Sequence, residues 1–291
     1  MKVAIISGKG GSGKSSVTAA FIDLSPKVVA VDCDVDASNL PLLFPHHIQQ
    51  EEPFVSGLQL KVDEAACLGC GRCIERCRYG ALRRNEQGKA VPNKFLCEGC
   101  GLCMKICPAH AIRLEEEAES TIYSSRFARG IMVHGRLCPG DDNSGKMIAR
   151  IRHLADEVMQ HEGIDLQILD GPPGIGCPVL STVTGMDKVV IVCEPTLSGM
   201  ADLARAHQVA SSFCKDLSVI INKCDINAEN RAAILRFCEE KHIPLVGELP
   251  LDKQMVDAQL QGQSIVLYAP QSETTRILHS AYRQIFLSAN K

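Results

Sequence analysis

The sequence predicts a doubly wound, mostly parallel α/β sheet interrupted by a small cysteine-rich α+β insert. Six short Val/Ile-rich runs, at 2–7, 27–32, 166–170, 188–194, 217–222 and 243–249, alternate with helix-like stretches that include 144–161, 198–214, 227–241 and 272–287. Continuous apolar runs are strands buried on both faces, and strands separated by helices pair in parallel. A glycine-rich turn follows the first of them. Eight of the fifteen cysteines fall into two copies of one pattern, thirty residues apart.

The first strand, "KVAIIS", runs into "SGKGGSGKSS" at 7–16. Gly8-x4-Gly13-Lys14-Ser15 between a strand and a helix is a phosphate loop. Glycines let backbone N–H groups converge on phosphate oxygens, and the helix N-terminus adds partial positive charge. Nucleotide contacts are therefore expected from Gly8, Lys9, Gly10, Gly11, Ser12, Gly13, Lys14, Ser15 and Ser16. Lys14 bridges the outer phosphates and the Ser15 hydroxyl ligates Mg²⁺. Lys9 is surplus to that mechanism.

The second strand ends in "VDCDVDASNL". Asp32 and Asp34 stand where carboxylates hold magnesium and its waters and orient an attacking water, a role assigned to Asp34. Asp36 reads as a turn or helix-start acid. The sheet is expected to break after this strand, giving a discontinuous nucleotide domain, 1–58 and 116–291, around an insert at 59–115.

The insert carries ten Lys and Arg against six Asp and Glu, so the remainder is more acidic than the net charge of −3. "CLGCGRCIERC" supplies Cys67, Cys70, Cys73 and Cys77; "CEGCGLCMKIC" supplies Cys97, Cys100, Cys103 and Cys107, followed by Pro108. Cys-x2-Cys-x2-Cys-x3-Cys, twice, is the bacterial two-cluster ferredoxin run, in which each fourth cysteine serves the other cluster. One [4Fe–4S] site is expected from Cys67, Cys70, Cys73 and Cys107, the other from Cys97, Cys100, Cys103 and Cys77. Zinc is poorly served by two such runs. Arg78 stands where many such runs have Pro, which alters a turn and no ligand. Gly69, Gly71, Gly99 and Gly101 let the backbone wrap each cluster. Arg72, Arg76, Arg78, Arg83 and Arg84 either tune a cluster or dock an acidic partner, or form a solvated basic face.

Beyond the insert, residues 120–137 read as a hairpin back into the sheet. "LDGPPGIGCPV" puts Asp170 at a strand end, where phosphate-loop enzymes keep a carboxylate beside the magnesium. "INKCD" offers Asn222, Lys223 and Asp225, a spacing that reads guanine in GTPases and leaves GTP open beside ATP. Of the remaining cysteines, Cys193, Cys214 and Cys238 are expected as small buried hydrophobes. Cys33 and Cys177 flank the nucleotide motifs as candidate sensors, and Cys138 has no assigned role.

Taken with "KGGSGKS", these landmarks resemble the MinD/ParA superfamily of deviant Walker A ATPases, here with an inserted ferredoxin domain; the nitrogenase iron protein and Mrp-like ATPases are relatives. The resemblance implies that Lys9 reaches across a nucleotide-sandwich dimer to the partner's phosphates, that 32–36 and Gly171–Gly174 are the two switches, and that the nucleotide is ATP. Catalysis then falls to Lys9, Lys14, Asp34 and Asp170, and magnesium to Ser15, Asp32, Asp34 and Asp170.

Three functions follow: ATP-gated electron transfer from the clusters to a partner protein; ATP-dependent assembly or carriage of Fe–S clusters or another metallocofactor; and ParA-like positioning on DNA or membrane. The separate Cys-x-x-Cys pair of Mrp-like carriers has no counterpart outside the insert. The acidic nucleotide domain argues against nucleic acid, and no apolar run reaches the roughly 18 residues of a membrane span. The expectation is a cytoplasmic homodimer, or heterodimer with a similar ATPase, serving a redox or metallocluster partner.

Overall fold

The computed structural model describes residues 1–55, 57–116, 120–138 and 143–287. The chain divides into two compact units: residues 1–52, 122–136 and 144–291, and residues 53–121 with 137–143. Among the described residues no helix is long and apolar enough to cross a membrane.

The first unit begins with β1 (Lys2–Ser7), α1 (Lys14–Leu24), β2 (Val28–Asp32) and β3 (His46–Phe54). The chain then builds the second unit from β4 (Leu58–Val62), α2 (Arg72–Arg76), β5 (Leu82–Arg84), β6 (Ala90–Pro92), α3 (Leu102–Ile106) and β7 (Ile112–Glu116). It returns through β8 (Ser120–Phe127) and β9 (Gly130–Arg136), joined by a two-residue turn, then α4 (Ser144–Glu162), β10 (Gln167–Pro173) and α5 (Cys177–Val183). Next come β11 (Lys188–Cys193), α6 (Leu197–Ala210), β12 (Leu217–Asn222), α7 (Ala228–Glu240), β13 (Leu245–Leu249), α8 (Lys253–Leu260), α9 (Ile265–Tyr268) and α10 (Glu273–Tyr282).

Nine strands form one sheet in the order β13-β12-β11-β1-β10-β2-β9-β8-β3. From β13 to β9 every pairing is parallel. β2 and β12 are buried at every position and β1 and β11 at all but the first, as strands covered on both faces must be. β1 lies between β10 and β11, so the connections leaving it and β11 diverge, and the crevice at the strands' C-terminal ends is where ligands bind in open α/β sheets. Register puts Asp170 beside Ile5 on one side and Asp32 on the other.

The sequence analysis broke the sheet after β2, yet β3 also joins it, and the second unit begins at Pro53. "HHIQQEEPF" is almost entirely exposed, so an edge strand here carries no apolar run to betray it.

The second unit consists of two antiparallel ladders, β4–β7 and β5–β6, and two five-residue helices displaced by thirty residues. Its core is small: Leu60, Cys73, Leu82, Ala90 and Ile112, with Val62, Ile74 and Leu114 packed against it.

Candidate functional site

The turn between β1 and α1 forms one wall of an open cleft of about 770 Å³, room for a nucleoside triphosphate. Gly11 (φ 80°) and Gly13 (φ 88°) occupy the left-handed region, which turns the loop so that helix α1 starts at Lys14. A Cβ on Gly10 or Gly11 would meet nothing within 4 Å, whereas one on Gly8 would collide with Asp202. The loop is thus packed on its far side and bare toward the cleft, which Ser12, Ser15 and Ser16 also line. Gln259 donates to the Ser16 hydroxyl at 2.6 Å.

Lys14 is 6% exposed and donates to Asp170 Oδ1 at 2.9 Å; Thr18 donates to the same oxygen at 2.9 Å. Burial alone would discharge this lysine, but Asp170, then Asp32 and Asp34, outweigh it and hold its pKa above the ordinary value. A charged ammonium therefore sits at the floor of the cleft.

Asp32 is fully buried, and its carboxylate accepts from Asp34 N (3.0 Å), Ser38 Oγ (2.8 Å) and Leu40 N (3.0 Å). Burial, then the neighbouring Asp170, push its pKa up to about 7. With both oxygens accepting from the protein, Asp32 organises the loop that presents Asp34. Asp34 lines the cleft, with Asp36 beside it. Burial raises the Asp34 pKa against the pull of Lys14. Pro172 and Pro173, after Asp170, line the opposite side.

Lys9 does not project freely. Its ammonium lies 3.0 Å from Glu194 Oε2 and donates to Thr196 (3.2 Å) and Ser198 (3.3 Å). Glu194, 6% exposed at the end of β11, also accepts from Lys223, which reaches the Gly11 carbonyl at 3.3 Å. Burial pushes the Glu194 carboxyl up, but hydrogen bonds from Lys223 and Lys9 outweigh it and hold it below the ordinary glutamate value.

Asn222 and Asp225 are not brought to this cleft. Asn222 Nδ2 donates to the Ser12 carbonyl at 2.9 Å, and Asp225 accepts from Leu251 N at 2.8 Å. The Asn222 bond braces the phosphate loop and the Asp225 bond the loop after β13.

In the second unit Cys67, Cys70, Cys73 and Cys107 line one cavity, so the last cysteine of the second repeat joins three of the first. Gly69 and Gly71, and Gly99 and Gly101, all have φ between 60° and 79°, which lets both cysteine turns adopt the same tight course. Cys97 and Cys100 lie near enough to Cys103 to raise its thiol pKa, behind the larger effect of burial. Cys77 Sγ accepts from Ala81 N at 3.3 Å. Among the described residues no three or more His, Cys, Asp or Glu converge to hold a single metal ion. One ion would need sulfurs about 3.8 Å apart, from a Zn–S bond of about 2.3 Å; a polynuclear cluster binds each cysteine at a different iron. Four cysteines around one cavity, flanked by left-handed glycines, fit the latter.

The CobQ/CobB/MinD/ParA nucleotide binding domain matches residues 3–265. The chain belongs to that family. An uncharacterized protein of Methanocaldococcus jannaschii is 37% identical over 235 residues, 79% of this chain and 80% of that protein. An iron-sulfur cluster carrier protein of Pyrococcus abyssi is 24% identical over 289 residues, 92% of this chain and 79% of the carrier. The septum site-determining protein MinD of Pyrococcus horikoshii, complexed with Mg-ADP, shares the fold at a TM-score of 0.59 and 16% identity, over 98% of this chain and 96% of that one.

Within this CobQ/CobB/MinD/ParA domain, the residue that sequence reasoning missed is Glu194. "VVIVCEPTLSG" ends a strand with an acid and two hydroxyls, a signal legible only once β11 is known to lie beside β1. Cys33, expected as a sensor, is fully buried, and burial, then Asp32, push its thiol to about 12, which removes it as a reactive group. Cys177 is exposed at the start of α5.

Proposed function

We propose that the protein is a Mg-ATP-hydrolysing, nucleotide-dependent dimer whose switch is coupled to two [4Fe–4S] clusters, gating electron transfer to a partner protein. The observation that carries this reading is the union, in one chain, of a phosphate-loop cleft and a compact unit whose cavity is lined by cysteines of both repeats.

The backbone of residues 8–15 and the Lys14 ammonium hold the phosphates. Ser15, Asp34 and Asp170 hold magnesium directly or through water, with Asp32 fixing the Asp34 loop. Asp34 orients a water on the γ-phosphorus; the bond to the β-phosphate oxygen breaks, ADP carries away the electron pair, and the water's proton passes to solvent. Lys9 leaves Glu194 to reach the partner's phosphates, which makes nucleotide binding and dimerisation one event. Cys67, Cys70, Cys73 and Cys107 hold one cluster, and Cys97, Cys100, Cys103 and Cys77 the other. Bound clusters supply one-electron chemistry.

A second reading, an ATP-dependent cluster carrier, is favoured by the similarity to the Pyrococcus carrier protein across nearly the whole chain and by the exposure of Cys70 and Cys100. Redox titration of the anaerobic protein, followed by EPR without nucleotide, with Mg-ATP and with Mg-ADP, separates the two. A shift above about 30 mV between nucleotide states, about 0.7 kcal/mol for one electron, is expected for gated transfer. Identical potentials, with clusters released to an apo acceptor, would replace it with the carrier.

A further inference from the structure

The two cysteine repeats superimpose in sequence at an offset of thirty, and their differences fall on charge. Arg84 of the first repeat corresponds to Leu114, Lys89 to Glu119, and Leu68 to Glu98. Arg84 Nη1 donates to the Gly69 carbonyl at 2.5 Å and to the Gly88 carbonyl at 3.1 Å. A Cβ on Gly71 would collide with Arg84 Nη2, so the guanidinium lies against the turn that carries Cys70. Lys89 donates to the Cys67 carbonyl. Two cations are thus tied to the backbone of the loop that supplies three cysteines of one site. In the second repeat the approach to the two turn glycines, which Arg84 makes in the first, is uncharged: a Cβ on Gly99 would meet the Leu58 carbonyl at 3.3 Å, and one on Gly101 the Leu114 side chain at 3.6 Å.

Three differences run the other way, Asp63 for Asn93, Glu64 for Lys94 and Glu75 for Lys105, and the Asp63 carboxylate is taken up by Ala65 N (2.9 Å) and Ala66 N (3.2 Å). Glu64, Glu75, Lys94 and Lys105 are exposed, as Arg84 is, but Arg84 and Lys89 are held against the first cysteine turn by hydrogen bonds to its carbonyls. Glu75 approaches Gly71 and offsets part of this charge, leaving the two cations net positive. A cluster gains one negative charge on reduction, so fixed cations within a few ångströms favour its reduced form, and distant solvated charges are screened.

Resting on the two-cluster reading above, we propose that the two sites are electronically unequal: the site of Cys67, Cys70, Cys73 and Cys107 takes the first electron because Arg84 and Lys89 clamp its loop, and the other site is the lower-potential one. A singly reduced chain then holds its electron on the clamped site, and the unclamped site is the stronger reductant of a doubly reduced chain.

The test uses the full-length protein, anaerobically reconstituted with iron and sulfide, with iron counted and each one-electron wave followed by EPR. Native protein is expected to show about eight irons per chain and two separate waves. Arg84→Leu, which copies the second repeat, should lower the upper wave at least tenfold in its reduction equilibrium, 59 mV, and leave the lower wave in place. Lys89→Gln should move the same wave in the same direction, and Arg84→Lys should restore most of the native value. Coincident waves in the native protein, movement of the lower wave, or no movement in fully loaded variants would overturn the inference alone. Failure to bind iron would overturn the two-cluster reading and the inference with it.

Discussion

Replacing Glu194 by Gln tests whether Lys9 is restrained until nucleotide and partner arrive. The Lys9 ammonium sits 3.0 Å from a carboxylate that is 8% exposed, while the lysine side chain is 30% exposed. A hydrogen bond between charged groups contributes about 1.5–3 kcal/mol when buried, and this solvent access reduces it to about 1 kcal/mol. When Lys9 departs, Lys223 still neutralises Glu194, so no unpaired buried charge is left behind and release stays within reach of binding energy. A symmetric dimer releases two such lysines. Glu194→Gln should therefore tighten the nucleotide-bound dimer by about 2 kcal/mol, roughly 30-fold in its dissociation constant. Sedimentation equilibrium with a non-hydrolysable ATP analogue reads this directly, and monomer nucleotide affinity controls for the Lys223 brace on Gly11. A dimer no tighter than native, with nucleotide affinity intact, would refute the reasoning.

Lys14→Ala should abolish nucleotide binding in a calorimetric titration, whereas Asp34→Asn should bind ATP normally and lose about 10² to 10⁴ in turnover. Burial, then His46, lower the His134 pKa to about 4, and the ring stacks on Tyr123 at 5.0 Å. The unfolded chain protonates this imidazole below about pH 6.5 and the folded protein only near 4. Its stabilisation is thus present above 6.5 and lost as pH falls toward 4, by up to about 3 kcal/mol. Asp32, raised to about 7, runs in the opposite sense, so the measurement is the difference in urea stability between native protein and His134→Phe; that difference should change by this amount between pH 6.5 and 4. Iodoacetamide at neutral pH should label Cys177 and spare Cys33 and Cys193 in the folded nucleotide domain, as peptide mass spectrometry would show.

The parallel core was legible because β1, β2, β11 and β12 are apolar on both faces, which only a covered sheet allows. The phosphate loop was legible because its glycines answer a backbone requirement, a positive φ at Gly11 and Gly13, that glycine meets most readily. Partnerships across the sheet were not legible. Lys9 to Glu194, Asn222 to Ser12 and Asp32 to Leu40 depend on strand order and loop course, and no spacing within one segment encodes them. The same limit hid the three donors that engage the Asp32 carboxylate, since spacing shows only its position at a strand end. The cysteine unit was legible as two repeats, but not the cations that differ between them, since Arg84 acquires meaning only from the carbonyls it reaches.

β3 and β8 are neighbours in the large sheet, and the cysteine-rich unit is the chain between them. The two strands that bracket it are therefore held about one strand spacing apart, about 4.8 Å, whenever the host sheet is folded. For the insert this is the constraint a disulfide would impose. Closing a loop of this length removes on the order of 4 kcal/mol of chain entropy from its unfolded state. With only five residues in its buried core cluster, the unit depends on its cysteine sites and on this closure more than on apolar packing. The host sheet thus acts as a clasp, and the unit should be markedly less stable when cut out than when strung between those two strands.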